Sequence, residues 1–509
     1  MDVIEGVGLL RDPLAAVKAV LAANTRTLPE TGDTVVMSNE AFSEPGGWHL
    51  GNWETFLTAL GTAYVDPPLA LSTLRAALRL LADGGILGMA ATPDGPLSAL
   101  SNPPIAAYCV WQVFQLTGER DLLEAFPLLL RWHNWWPNFR DGNHNKLLNW
   151  ASPAETGMPT HPLYADAAVD PQTGVLALDD VGLTALWALD AFALMRMALA
   201  LDDLDHATHL EKEILNVTEL MNLTFWDPDR GIYRSQDWAG LPVESRTLTA
   251  LLTLIGRIPT GQRLPRLLDE HLAMEFSTPF MLPTLGRGDD AYDDQQPWRG
   301  RVSPLLNYLI AAGLRYFQAD DWAERVSLSG LALLKKSWAN GQVFASYHAG
   351  TGAGDDITQD AQAPLGTLLG VLGVQMLLDV EPWDGMRLGN LAGADMMVVD
   401  LPLLGDRYTV SSGAWGLKAQ RSDRPWLSVD RPAIIRNLSQ TEREVSLQLR
   451  VAATQGRVTL HVHGFHPGQQ VTMKVNGSLT KSSADHHGTV ERTLALPLPT
   501  PGVAGRAAA

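Results

Sequence analysis

Residues 66–81 read DPPLALSTLRAALRLL. Leu71, Leu74, Leu78 and Leu81 recur at three- and four-residue steps, which lines them along one stripe of a helix. Asp66-Pro67-Pro68 supplies the start signal, an acceptor side chain followed by prolines whose missing N–H costs nothing in a first turn. The segment predicts an amphipathic helix with its leucine stripe turned to a core.

The same spacing extends outward in both directions. It recurs at 14–23, 53–63, 104–116, 121–136, 182–201, 204–225, 245–255, 263–274, 304–317, 322–338 and 365–378, about twelve helices between Asp12 and Asp379. Thr117-Gly118 separates two of them. The loops at 29–52, 90–103, 138–177 and 284–301 are long and rich in Gly, Pro, Asp and Asn, and long ordered loops on a helical scaffold are where sites are built. Near Trp383 the period falls to two: Val445, Leu447, Leu449 and Val451 alternate with polar residues, as do Val458, Leu460 and Val462, then Val471, Met473 and Val475. The expected organisation is a helical domain over 1–383, a β-sandwich-like domain over 384–498 and a flexible tail over 499–509.

Composition narrows the function. The chain has 509 residues, 46% hydrophobic and 18% charged, a globular balance too long for one ordinary core. A net charge of −18 argues against nucleic acid, whose phosphates need a basic face. No classical signal segment opens the sequence, and the apolar stretches 186–201 and 365–378 are short or interrupted, so they read as buried helices rather than membrane spans. The single cysteine, Cys109, excludes an internal disulfide, fits a reducing compartment and reads as a small buried hydrophobe. A cytoplasmic protein is expected. Sixteen tryptophans against 12 phenylalanines and 9 tyrosines suit both core packing and stacking on sugar rings. No zinc spacing, phosphate loop or Gly-x-Ser-x-Gly elbow is found. Asp289-Asp290 and Asp293-Asp294 lack the spacing of a calcium loop and read as a solvated acidic run. No metal or cofactor is expected.

Four ordered segments carry a resemblance. They are Gly47-Trp48-His49-Leu50-Gly51-Asn52-Trp53-Glu54-Thr55-Phe56 with Asp66-Pro67-Pro68; Arg140-Asp141-Gly142, Leu148-Asn149-Trp150 and Glu155-Thr156-Gly157-Met158; Pro283-Thr284, Trp298-Arg299-Gly300-Arg301-Val302 and Asn307-Tyr308; and Phe344-Ala345-Ser346-Tyr347 with Thr351-Gly352. Together they resemble the family 63 glycoside hydrolases, especially the mannosylglycerate and glucosylglycerate hydrolase branch. The resemblance implies an (α/α)6 toroid and a small carbohydrate or glycoside as partner.

It also implies where the chemistry belongs. Inverting glycoside hydrolysis needs one carboxyl group to protonate the leaving oxygen and a second to activate water, about 6.5–9.5 Å apart. By the resemblance, the acid position is Pro159 and the base position is Ala345, and neither side chain can carry a proton. Glu54 and Glu155 stand nearby as a displaced catalytic pair, although the commoner role for Glu155 is to accept a hydrogen bond from a substrate hydroxyl or to brace its loop. Trp53, Trp150, Trp298, Arg299 and Tyr347 are the candidates for sugar contact, flat indoles for a pyranose face and a guanidinium fork for hydroxyls or a carboxylate. Asp355-Asp356 offers another base. Three functions follow as alternatives: a hydrolase using Glu54 and Glu155 on a small α-glucoside or α-mannoside, a catalytically silent sugar binder, and a lyase using Tyr347 and His348 on an acidic saccharide, with His161 also near a lost position.

Overall fold

The computed structural model describes residues 14–38, 47–165, 167–354, 362–381 and 385–498. Asp355, Asp356 and the tail at 499–509 lie outside the described residues. The chain divides into two units, Ala15–Leu372 and Gly373–Ala509, a boundary somewhat earlier than the expected 383/384.

The first unit is helical. Among the described residues its long helices are α1 (Leu14–Asn24), α2 (Asn52–Thr62), α3 (Pro67–Leu80), α4 (Ala106–Thr117), α5 (Phe126–Phe139), α6 (Val181–Ala200), α7 (Leu204–Thr224), α8 (Pro304–Tyr316) and α9 (Asp320–Trp338), with α10 (Leu368–Leu377) running into the second unit. Residues 66–81 fold as read. Asp66 accepts a hydrogen bond from the Leu69 backbone N–H at 3.0 Å as the cap of α3, the prolines take the first turn, and Leu71 and Leu74 are buried.

Burial alternates between neighbours. Every residue of α8 is buried, as is nearly all of α2 and α6, whereas α3 and α7 bury only part of their length. Sequence neighbours pair as α2 on α3, α6 on α7 and α8 on α9, and the buried helices also meet one another as α2 on α4 and α4 on α6. A helix apolar all round has to be enclosed, and one with a single apolar stripe covers it. The alternation therefore produces an inner and an outer layer. Val181–Ala200 is long and apolar enough to cross a membrane, and it is mostly buried inside this unit.

Two expected helices wind differently. The segment expected at 245–255 holds a 3₁₀ helix, Leu248–Thr253, in which the Thr253 hydroxyl bonds the Ala250 carbonyl at 2.7 Å and supports the tighter turn. In the 263–274 segment one α turn, Arg263–Arg266, passes into a π-helical stretch, Leu267–Leu272. Pro265 lies in that first turn, where its missing N–H costs nothing. The loops also contain short strands, including a three-stranded sheet of Leu50–Gly51, Ala90–Thr92 and Gly95–Leu97.

The second unit is built from two six-stranded sheets. Numbered within this unit, they run β1 (Leu378–Glu381), β2 (Gly385–Leu388), β7 (Ala433–Gln440), β8 (Glu444–Val451), β10 (Gln470–Val475), β11 (Ser478–Ser483), and β3 (Met396–Leu403), β4 (Asp406–Gly413), β5 (Gly416–Arg421), β6 (Arg424–Val429), β9 (Arg457–Val462), β12 (Val490–Ala495). All pairs are antiparallel except β8 with β10. The period-two residues Val445, Leu447, Leu449, Val458, Leu460, Val462, Val471, Met473 and Val475 are buried, as alternation demands of a sheet with one face on a core.

Candidate functional site

The stretch from Arg140 to Glu155 folds as a loop that closes on itself. Glu155 is fully buried, and its carboxylate accepts four hydrogen bonds. Oε1 takes the Ser101 backbone N–H at 3.0 Å and Arg140 Nη2 at 2.7 Å; Oε2 takes Arg140 Nε at 2.9 Å and the Ala151 backbone N–H at 2.7 Å. The Arg140 guanidinium in turn lies over the Trp135 ring, 4.5 Å from its centroid. Asn149 ties the same loop to the start of α6, accepting from the Gly142 backbone N–H at 2.8 Å and donating to Asp179 Oδ1 at 2.9 Å. The residues that made this segment recognisable in the sequence are its internal scaffold.

Behind that loop is a small cavity lined by Trp53, Trp150, Met158, Tyr164, Asp180 and Leu183, among others. Its volume is about 10 Å³, room for about one water. Trp53 is locked in its wall, since a Cβ on Gly157, whose φ is +71°, would sit 2.5 Å from the Trp53 ring. Trp150 stands edge-on to both Trp136 and Tyr164. As folded, a pyranose cannot enter between Trp53 and Trp150 unless their loops part.

Asp180 is the carboxyl group that the sequence reading missed. It is wholly buried and caps α6, accepting the Leu183 backbone N–H at 2.6 Å. Burial pushes its pKa up to about 6, against the opposing pull of that N–H and of Tyr164, Trp150 and Ser235. Trp150 faces it without reaching good hydrogen-bond geometry, so its indole N–H stays without a partner. The signal was present: an Asp directly before a long apolar run is a helix cap.

The remaining candidates fall at a rim where three loops meet. Pro159 is exposed there, and Arg299 Nε reaches the Thr160 carbonyl at 3.5 Å. Asp294 faces His348 at 3.3 Å, which joins the acidic loop to the turn after Ala345. Val302 and Tyr347 exchange backbone hydrogen bonds at 2.7 and 3.0 Å. Ala345, Trp298 and Arg299 are half-buried. Glu54 sits in the first turn of α2, half-buried, and its carboxylate curls back so that a Cβ on Gly51 would lie 2.7 Å from Oε2. Neither Glu54 nor Glu155 lines the cavity of Trp53 and Trp150.

Tyr347 and His348 are not assembled for proton transfer. The Tyr347 hydroxyl is buried, accepts the Phe344 backbone N–H at 2.9 Å and meets Ser337 Oγ at 3.3 Å, and burial pushes its pKa up to about 12. His348 Nδ1 accepts backbone N–H groups of Gly350 and Thr351 at 3.0 and 3.1 Å. His161, pushed down to about 4 by burial, bonds the Thr247 hydroxyl at 3.1 Å and is neutral. The acidic run caps its own turns: Asp289 holds the Arg246 and Ala291 backbone N–H groups at 2.7 and 2.8 Å. No cluster of ligands for a metal ion is found among the described residues.

A helical scaffold with long loops also occurs in glycoside hydrolases. Residues 47–362 match the family described as the mannosylglycerate hydrolase MGH1-like glycoside hydrolase domain; the chain belongs to that family. It is 23% identical to mannosylglycerate hydrolase MGH1 of Selaginella moellendorffii over 60% of this chain and 76% of the relative. The same fold occurs in the family 63 mannosylglycerate hydrolase of Thermus thermophilus solved with glucose, at a TM-score of 0.61 and 21% identity, covering 71% of this chain and 99% of the other. The form of that enzyme solved with Tris and D-glycerate aligns equally, with a TM-score of 0.61, 19% identity, and coverage of 71% and 100%.

Proposed function

We propose that the helical unit is an (α/α)6 toroid that recognises a small α-glucoside or α-mannoside and does not cleave it by the inverting route of its family. The alternating inner and outer helices support the toroid. The relatives named for mannosylglycerate, and the related structures solved with glucose and D-glycerate, support the ligand class.

One observation carries the proposal: the carboxylate of Glu155 is spent on four N–H donors, two from a buried arginine. A group so held can neither give nor take a proton without breaking its loop, which leaves the displaced pair with one member. Pro159 and Ala345, at the family's acid and base positions by the resemblance, supply no replacement. Each missing proton-transfer group forfeits on the order of 10²–10⁴ in rate, so both together leave the inverting mechanism without means. Recognition then falls to the rim, where Trp298 and Arg299 adjoin Pro159. The lyase reading loses its support with the buried Tyr347 hydroxyl.

The test pairs turnover with binding. A panel of α-mannosides and α-glucosides, mannosylglycerate and glucosylglycerate among them, is assayed for released reducing sugar and by calorimetric titration. Binding without release, weakened by Trp298→Ala and Arg299→Met, is expected. Release by the unmodified protein that Glu54→Gln abolishes would restore a hydrolase and overturn the proposal.

A further inference from the structure

A second cavity, of about 230 Å³, opens in the helical unit between the strand-loop segment 230–246 and the end of the π-helical stretch at 271–275. That is far more than one water needs, a space suited to one small molecule. Arg230, Arg234 and Arg246 bring three guanidinium groups to it; Glu244 lies between the first two, Glu275 Oε1 is 3.4 Å from Arg246 Nη1, and His271 lines the same cleft. None of these side chains was singled out by the sequence.

Two features of the lining point to a ligand. The first is Glu244. Its side chain is 73% exposed, yet its two oxygens are split between Arg230 Nη1 at 2.7 Å and Arg234 Nη2 at 2.9 Å. Arg234 is otherwise fixed by Asp227 at 2.8 Å and the Val243 carbonyl at 3.0 Å. A solvent-exposed carboxylate in an ion pair is held weakly. It occupies the place where an incoming anion would meet two forked donors.

The second feature is a buried polar pair without hydrogen bonds. His271 Nε2 lies 2.7 Å from the Arg230 carbonyl, so it must donate its proton there. The other ring nitrogen, Nδ1, faces Glu275. That atom is buried, lacks a hydrogen bond, and stands 3.4 Å from Glu275 Oε2, which also lacks one. The His271 side chain is only 8% exposed. Neither atom has a hydrogen-bond partner, and a ligand hydroxyl, which can donate and accept, supplies one. The guanidinium groups exclude a metal cation from the same place by repulsion.

We propose that this cleft binds a small polyhydroxylated anion, its charged group replacing Glu244 between the arginines and its hydroxyls facing His271 and Glu275. The cleft shares no lining residue with the cavity of Trp53 and Trp150, although one helix serves both. Helix Leu248–Thr253 gives Ala250 to the cleft, and Thr249 and Leu252 to the cavity. Binding here is independent of the proposed loss of hydrolysis.

Isothermal titration of the full chain with D-gluconate, acetate and glucose tests it. Gluconate carries both charge and hydroxyls, acetate only charge and glucose only hydroxyls. Gluconate should bind about tenfold or more tighter than either partial probe, and Arg230→Met and Arg246→Met, both at half-exposed positions, should each weaken it about tenfold. Glu244→Gln, at an exposed position that leaves folding intact, should tighten it several-fold. Equal binding of the three probes, affinity indifferent to both arginine variants, or a Glu244→Gln protein that binds gluconate no better than the parent would each overturn the proposal.

Discussion

Removing the Glu155 carboxylate is expected to unfold the helical unit sooner. In Glu155→Ala, Arg140 keeps its charge in a site where its side chain is 10% exposed, and the backbone N–H groups of Ser101 and Ala151 lose their acceptor. Breaking a buried ion pair from one side costs about 3–5 kcal/mol, because the partner charge is left uncompensated. Glu155→Gln keeps the shape but turns an amide N–H toward the guanidinium, so it should cost nearly as much. The double variant Arg140→Met with Glu155→Met removes both charges and should recover most of the loss, giving a large coupling energy in the cycle. Urea unfolding followed by tryptophan emission reports mainly on the helical unit, which holds most of the tryptophans. With a slope near 3 kcal/mol per molar, the midpoint of either single variant should fall by roughly 1 M or more. A Glu155→Gln protein with the parental midpoint would refute the bracing role, and loss of glycoside turnover in that stable variant would return Glu155 to catalysis.

Asp180, buried and raised to about 6, favours its protonated form in the folded chain. The stability this confers is complete below the unfolded carboxyl pKa near 4 and is lost as pH rises through about 6, a swing of about 3 kcal/mol; Asp180→Asn, which keeps the cap, should flatten the stability profile between pH 4 and 6. His133 acts in a more alkaline window. Burial lowers its pKa, but hydrogen bonds to Asp190 and Glu213 at 2.9 and 3.0 Å outweigh it and raise the value to about 9. Its stabilisation is whole below about 6.5 and disappears as pH climbs through 9, so His133→Gln should remove an alkaline fall of about 3 kcal/mol seen in thermal unfolding of the parent. Gly157→Ala adds a Cβ 2.5 Å from the Trp53 ring at a positive φ; strain and overpacking together should cost about 2–4 kcal/mol, read as a lower Tm and altered tryptophan emission.

Helices such as α3, α6, α8 and α9 were legible because periodicity and caps are local. Leu71 and Leu74, or Asp66 before its prolines, need no partner to be recognised. Winding was less legible: the turn type at Leu248–Thr253 and Leu267–Leu272 changes without disturbing the apolar spacing. The loop residues were found as members of a motif, yet their orientation depends on contacts far along the chain, Ser101 with Glu155 or Thr160 with Arg299. A glutamate on a polar loop looks the same in sequence whether it faces ligand or an arginine. A signal that could have decided it was Arg140, a cation at the start of the same loop. The cleft of Arg230, Arg234 and Arg246 was hidden for a related reason, since its charges are dispersed over many residues and gathered only by folding.

The largely apolar helix Val181–Ala200, in which Asp190 and Arg196 are the charged residues, has a bearing on biosynthesis. Its neighbours on the later side, α7 and the turn at Leu248–Thr253, lie downstream of it. A ribosome therefore presents a greasy rod of twenty residues to its surroundings until some fifty more have emerged, an interval in which hydrophobic segments aggregate or engage chaperones. Slowing translation just after this helix should lower the yield of native protein more than slowing it before.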